Sequence, residues 1–255
     1  MNEYLQAIIW GLVQGLTEFL PVSSSGHLVI VPEVLGVEPP DLALSAVLHL
    51  GTLAAVVVYY WSDLTSLLKF GSDENARHML WLLFLGTLPA LLAILFRDPV
   101  DALQSSTMAV GIALIGTGIV LWLSQLVHDN DSVLERGRWS DAVIVGFAQL
   151  LAVIPGVSRS GMTITAGMTR GLSRHEAARF SFLLGVPTIA GAGLIEGAGV
   201  VGEGRLGGPE IVGVVVAGLS GYVAIALLLR VLERVGLRPF SYYCFVVGAL
   251  TVAFL

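Results

Sequence analysis

Charge is scarce in this chain: of 255 residues only 13% are Asp, Glu, Lys or Arg, while 55% are hydrophobic. A soluble domain carries about one-quarter charged residues, so there is too little charge here to coat a water-facing surface. Apolar stretches near bilayer length, in which every backbone group must be satisfied internally, make the chain an all-α integral membrane protein. Cysteine is almost missing: the lone Cys244 excludes an intrachain disulfide framework or a cysteine metal cluster. Net charge −6, with 13 Lys plus Arg and no basic block, excludes a nucleic-acid binder. Met1-Asn2-Glu3 lacks a basic region and no small-residue cleavage site precedes Glu18, so no removable signal peptide is expected.

Six stretches read as transmembrane helices: 42–61, 79–96, 107–126, 178–199, 210–230 and 239–255. Two further apolar regions, 4–31 and 142–168, are interrupted at Pro21-Val22-Ser23-Ser24-Ser25-Gly26-His27 and at Pro155-Gly156-Val157-Ser158-Arg159-Ser160-Gly161. Unpaired backbone groups at these breaks could not face lipid. Each region is therefore expected to be a helix-loop-helix that re-enters on the side it came from, with its loop buried in protein.

The two regions are alike. Residues 11–26 laid over 146–161 at an offset of 135 give seven identities in sixteen positions: Gly11/Gly146, Gln14/Gln149, Leu16/Leu151, Val22/Val157, Ser23/Ser158, Ser25/Ser160 and Gly26/Gly161. Chance likeness between apolar helices would match Leu and Val, not a Gln and a Ser-x-Ser-Gly loop. The expectation is a single transmembrane domain, residues 1–255, made of two repeats, about 1–126 and 142–255. Three full spans separate the interrupted regions. If those regions do not cross, the second copy enters from the opposite face, giving an inverted-topology repeat whose loops meet near the midplane.

The charges orient this topology. Lys69, Arg77, Arg136, Arg138, Arg170, Arg174, Arg179, Arg230, Arg234 and Arg238 fall on one face, against Arg97 and Arg205 on the other, with Arg159 inside the membrane. The positive-inside rule makes the rich face cytoplasmic and puts both termini outside.

Glu18 and Arg159 are the charges set deep in the interrupted regions. Even the lenient insertion scale puts a charge at a helix centre at about 2.5–3.5 kcal/mol, and such groups pair or line a cavity. A salt bridge that only joins the two repeats is the alternative. Gln14 lies one turn before Glu18 on the same helix face, placed to orient the carboxylate, contact a ligand or bond another helix; Val153 stands where the second repeat would have its Glu. Ser23, Ser24 and Ser25 in one loop, and Ser158 and Ser160 with Thr163 in the other, offer hydroxyls and backbone N–H groups to an anion, and also cap the broken helices. Arg159 adds a bidentate contact for phosphate oxygens. His27 can serve as nucleophile, acid or base, whereas His49 reads as helix packing or as a partner behind the site, with direct involvement the lesser alternative. No cluster forms an all-protein metal cage; a lone Glu18 could share Mg2+ or Ca2+ with substrate phosphates.

The run Gln14-Gly15-Leu16-Thr17-Glu18-Phe19-Leu20-Pro21-Val22-Ser23-Ser24-Ser25-Gly26-His27 and the run Pro155-Gly156-Val157-Ser158-Arg159-Ser160-Gly161-Met162-Thr163 resemble the two signature motifs of the undecaprenyl-diphosphate phosphatase family of the bacitracin-resistance type. The similarity runs on through Leu48-His49-Leu50-Gly51-Thr52 and Phe180-Ser181-Phe182-Leu183-Leu184-Gly185-Val186-Pro187. It implies a plasma-membrane enzyme that removes the terminal phosphate of a polyprenyl diphosphate, regenerating the carrier for cell-wall glycan synthesis. It further implies dependence on a divalent cation and a site open to the outer face. On that pattern Glu18 is the acidic residue of the first motif, Arg159 the phosphate-binding arginine of the second, and His27 and Ser24 competing nucleophiles. The family has Glu or Gln at position 14, so Gln14 counts against mechanisms that need two carboxylates there.

Inverted repeats with broken helices are also the architecture of secondary transporters, so a transporter or flippase for a lipid phosphate or another anion is the competing class. Oligomeric state, a homodimer included, is left open by the sequence.

Overall fold

The computed structural model describes the chain apart from residue 1 and residues 97–99, 101–102, 129–131, 135–136 and 203–206. Arg97, Arg136 and Arg205, used above to orient the chain, lie outside the described residues. The described residues are helical, with no strand beyond one isolated bridge between Ser132 and Leu172.

Helix α1 (Glu3–Phe19) starts where the Asn2 side chain accepts the Tyr4 N–H. It stops because Pro21 forces Leu20 into an extended conformation (ψ 141°). After three more residues α2 (Ser24–Leu35) begins on a Ser23 cap and ends at Gly36, which adopts the left-handed conformation. Then come α3 (Leu42–Tyr59), α4 (Trp61–Leu67), α5 (Glu74–Thr87) continued as a 3-10 helix over Leu88–Phe96, and α6 (Thr107–Leu123) with a short 3-10 end. The second interrupted region forms α7 (Trp139–Leu151) and α8 (Arg159–Thr169), followed by α9 (Arg174–Gly202), α10 (Gly208–Val235) and α11 (Arg238–Phe254).

All six expected spans coincide with helices, and both interrupted regions break at their Pro/Gly/Ser loops. By length and composition three helices could cross a membrane, Glu74–Phe96, Thr107–Leu126 and Gly208–Val235, and a fourth if the bent pair of Leu44–Tyr59 and Trp61–Leu67 is one span. Two details depart from the expectation. The stretch 42–61 does not end in a loop but turns by 78° into α4. The stretch 79–96 changes from α to 3-10 at Leu88, next to Pro89, which has no N–H to continue the ladder.

Many large apolar side chains lie on the outside of the molecule, while a few polar groups are buried within its apolar core. On α1 the stripe Leu5, Ile8, Leu12 and Leu16 is exposed, while Gln14 and Glu18 are buried. This reverses a soluble amphipathic helix, as a lipid-facing one should. Helix α1 lies on α10 and α7 lies on α5, each at a glycine. A Cβ on Gly15 would strike the Ser220 hydroxyl, and one on Gly146 would sit 2.5 Å from the Gly86 carbonyl. Such close backbone approach is how membrane helices gain packing without a hydrophobic drive between them.

Several basic residues meet at one end of the bundle. There Arg170 pairs with Asp141 at 2.8 Å, Arg179 pairs with Asp63 at 2.6 Å and Glu176 at 3.0 Å, and Gly236 lies beside Arg174.

Candidate functional site

The two loops face each other. Ser160 Oγ donates to the Leu20 carbonyl (3.2 Å) and Ser23 Oγ to the Val157 carbonyl (3.4 Å), so each break in one region is stitched to the other. Within each loop the first serine caps its helix: Gly26 N–H donates to Ser23 Oγ (3.3 Å), Gly161 N–H to Ser158 Oγ (3.1 Å). The N-termini of α2 and α8 thus open toward a common space, where helix dipoles and free first-turn N–H groups favour an anion.

Glu18 and Arg159 are paired, Arg159 Nη2 donating to Glu18 Oε1 at 2.7 Å. The other carboxylate oxygen accepts from Gln14 Nε2 (3.1 Å) and from Ser24 Oγ (2.7 Å). Behind Arg159 lies Gly185 of α9, whose missing side chain leaves room for the guanidinium. A buried carboxylate with three donors is well satisfied; replacing one partner would leave costly unpaired charge.

This cluster lines a cavity of about 190 Å³ walled by Thr17, Glu18, Ser23, Ser24, Ser25, His49, Ala152, Val157, Ser158 and Arg159. A second cavity of about 190 Å³ lies at the basic end, lined by Asp63, Ser66, Asp73, Asn75 and Arg179 among others. Two carboxylates border it and its arginine is already bonded to Asp63 and Glu176, so it does not present itself to an anion. The first cavity is the candidate site.

Of the residues singled out from sequence, Glu18, Ser23, Ser24, Ser25, Ser158 and Arg159 border this cavity. Gln14 is fully buried beneath it, holding Glu18 with its amide N–H while its Oε1 has no partner. Ser160 is turned toward Ser158 and Leu20, and Thr163 toward Ser181 on α9 (2.6 Å). His27 does not border the cavity. Its Nδ1 lies 2.8 Å from the Ser23 carbonyl, so Nδ1 carries the proton and Nε2 accepts from the Tyr243 hydroxyl at 2.7 Å. The Tyr243 ring stacks on the imidazole at 5.7 Å between centroids.

Ser23 carries the only positive φ of a non-glycine among the described residues, 69°. Such backbone costs about 1–3 kcal/mol and persists only where the surroundings fix it. Here the Ser23 carbonyl takes both the backbone N–H (3.2 Å) and the ring N–H of His27.

Two participants escaped sequence reasoning, and a third, His49, was read from the sequence as packing or as a partner behind the site. Thr117 of α6 donates to the Gly156 carbonyl (2.9 Å) and accepts from Ser158 N–H (3.2 Å), holding the second loop. Tyr243 holds His27, and His49 stands on the cavity wall instead of behind it. The only signal in the sequence was a polar group in an apolar span.

For a divalent cation the donor set is oxygen: the Glu18 carboxylate, the orphaned Gln14 Oε1 and the serine hydroxyls. Among the described residues no group of three His, Cys, Asp or Glu could hold a metal unaided. These donors suit Mg2+ or Ca2+ only if substrate oxygens complete the shell.

Residues 7–250 match the family model described as bacitracin resistance protein BacA. Among similar proteins, the undecaprenyl-diphosphatase of Halothermothrix orenii is 41% identical over 254 residues, covering 98% of this chain and 97% of that one. The undecaprenyl-diphosphatase of Methanosphaera stadtmanae is 38% identical, covering 99% and 98%. Undecaprenyl-diphosphatase 2 of Stutzerimonas stutzeri is 40% identical, covering 97% and 96%.

Proposed function

The chain belongs to the bacitracin resistance protein BacA family, and from that membership and its site we propose that it hydrolyses a polyprenyl (undecaprenyl) diphosphate to the monophosphate and inorganic phosphate. This reaction recycles the lipid carrier for cell-wall glycan synthesis. The observation that carries the reading is Ser24 Oγ bonded to Glu18 at 2.7 Å beside Arg159, in one cavity at two helix N-termini.

Ser24 Oγ attacks the terminal phosphorus, and Glu18, which already accepts its hydrogen bond, takes the proton. The bond to the bridging oxygen breaks and the lipid monophosphate leaves. Arg159, Ser23, Ser25, Ser158 and the first-turn N–H groups of α2 and α8 hold the phosphoryl oxygens and offset the charge that develops on them. What favours Ser24 over His27 as nucleophile is access: Ser24 borders the cavity, whereas both ring nitrogens of His27 are occupied. A divalent cation shared by Glu18, Gln14 Oε1 and the substrate phosphates would further neutralise charge.

The prenyl chain stays in lipid or in an apolar groove between helices, with the diphosphate entering laterally from the outer leaflet. In this orientation the basic end is cytoplasmic and both termini are outside. The inverted repeat is supported by the crossed packing of α1 on α10 and α7 on α5, and by the matching caps of Ser23 and Ser158.

The test is phosphate release from a polyprenyl diphosphate by purified protein in detergent, where no gradient exists. Ser24→Ala and Arg159→Ala, folded by gel filtration, are expected to lose on the order of 10⁴-fold and 10²–10³-fold in turnover. Native rates in both would overturn the assignment. No release by the unaltered protein, with cation-coupled flux in liposomes, would instead establish a transporter.

A further inference from the structure

Cleavage through Ser24 needs two bases in turn. Once Glu18 has taken the serine proton it must return that proton to Oγ as the phosphoryl group departs, so another group has to deprotonate the attacking water. Of the residues that border the cavity, Thr17, Ser23, Ser25, Ala152, Val157 and Ser158 have no basic atom. Arg159 cannot give up its proton in a protein. His49 is what remains.

Its geometry suits the task. His49 lies on α3, and its Nδ1 is 2.8 Å from the Ser45 carbonyl one turn back along the helix. A carbonyl only accepts, so Nδ1 bears the proton and the lone pair of the neutral ring is on Nε2. No hydrogen bond to Nε2 occurs among the described residues, whereas His27 has both nitrogens engaged. A ring with one nitrogen pinned to backbone and the other free is an oriented base.

Building on the phosphatase reading above, we propose that His49 Nε2 takes the proton of the water that releases phosphate from Ser24. The water oxygen bonds to phosphorus, the Oγ–phosphorus bond breaks, Oγ recovers its proton from Glu18, and the proton on Nε2 leaves with the phosphate product or to solvent. His49 thus serves the second half of the reaction and not the first.

The experiment follows one turnover of purified His49→Gln, His49→Asn and His49→Ala on a polyprenyl diphosphate labelled in its terminal phosphate. The expected result is a burst of lipid monophosphate at the native rate and label accumulating on the protein as phosphoserine. Steady-state phosphate release should fall by about 10²–10⁴-fold in all three variants. Added imidazole should restore turnover to His49→Ala. A role in shape alone would be met by Gln or Asn, so native turnover in either variant overturns the proposal. So does equal loss of burst and turnover in all three. If the unaltered protein releases no phosphate, the phosphatase reading has failed; if it does and His49→Gln matches it, only the role of His49 has.

Discussion

Glu18 is bonded through both of its carboxylate oxygens. Its carboxylate receives Arg159, Gln14 and Ser24 together, which makes it a candidate base, anchor and cation ligand at once. Gln14 separates these roles, because its amide N–H holds Glu18 while its buried Oε1 is idle. If that oxygen completes a shared cation shell, Gln14→Ala raises the cation concentration for half-maximal activity by about 10–100-fold, in addition to any fall in kcat from the lost donor to Glu18. Activity measured against Mg2+ and Ca2+ after chelation reads this directly, and an unshifted cation dependence would limit Gln14 to holding Glu18. Glu18, Arg159 and the serines were legible in the sequence because a charge or a Ser-rich loop inside an apolar run has few explanations. Thr117 and Tyr243 were not, and the position of His49 was only partly so, since each is one polar group on a long apolar helix and only packing decides what it faces. The free nitrogen of His49 depends on Ser45 in its own helix and on a wall of the cavity supplied by two distant loops.

At the scale of elements, the site is two broken helices held in place by the helices around them. The breaks were legible because proline, glycine and serine interrupt hydrophobic runs, and Pro21 does end α1 as its chemistry requires. The bend between α3 and α4 was not, since Tyr59-Tyr60-Trp61 carries no breaker; at the turn Tyr59 meets Tyr222 and Tyr60 meets Phe182, contacts that only the fold supplies. Gly156 shows how tightly the second loop is built: its φ is +91°, and a Cβ there would lie 2.5 Å from the Val110 carbonyl. Gly156→Ala is therefore expected to cost about 2–4 kcal/mol, combining left-handed strain with overpacking. It would also displace the carbonyl held by Thr117, and with it Ser158. Gly36→Ala is the control: its φ is also positive, +61°, but its added Cβ meets nothing within 4 Å. That substitution should cost only about 1–2 kcal/mol, from backbone strain alone, and leave turnover intact. Unfolding in mixed micelles titrated with SDS, alongside phosphate release, compares the two. Equal cost at both positions would mean the Gly156 loop yields more readily than its contacts indicate.

For the whole molecule, the scarcity of charge becomes a statement about direction. If the interrupted regions re-enter, the chain crosses only at the six expected spans, and the loop between α2 and α3 lies on the opposite face from the loop between α4 and α5. If the first region crosses instead, the α2–α3 loop changes sides relative to the N-terminus. Glu38 and Ser72 are exposed and stand in these two loops, and the native Cys244 is buried, so single cysteines there give a clean readout. In intact cells a membrane-impermeant maleimide is expected to label Glu38→Cys and an added N-terminal cysteine, and to reach Ser72→Cys only after permeabilisation. Labelling from outside of only one of the N-terminus and Glu38→Cys would make the first region a true span and remove the inverted repeat. The expected pattern places Arg170, Arg174 and Arg179 on the cytoplasmic face while Arg159, in the same half of the chain, stays within the membrane. An arginine held there against the positive-inside bias, paired to the buried Glu18, is what a diphosphate arriving from the other leaflet would meet.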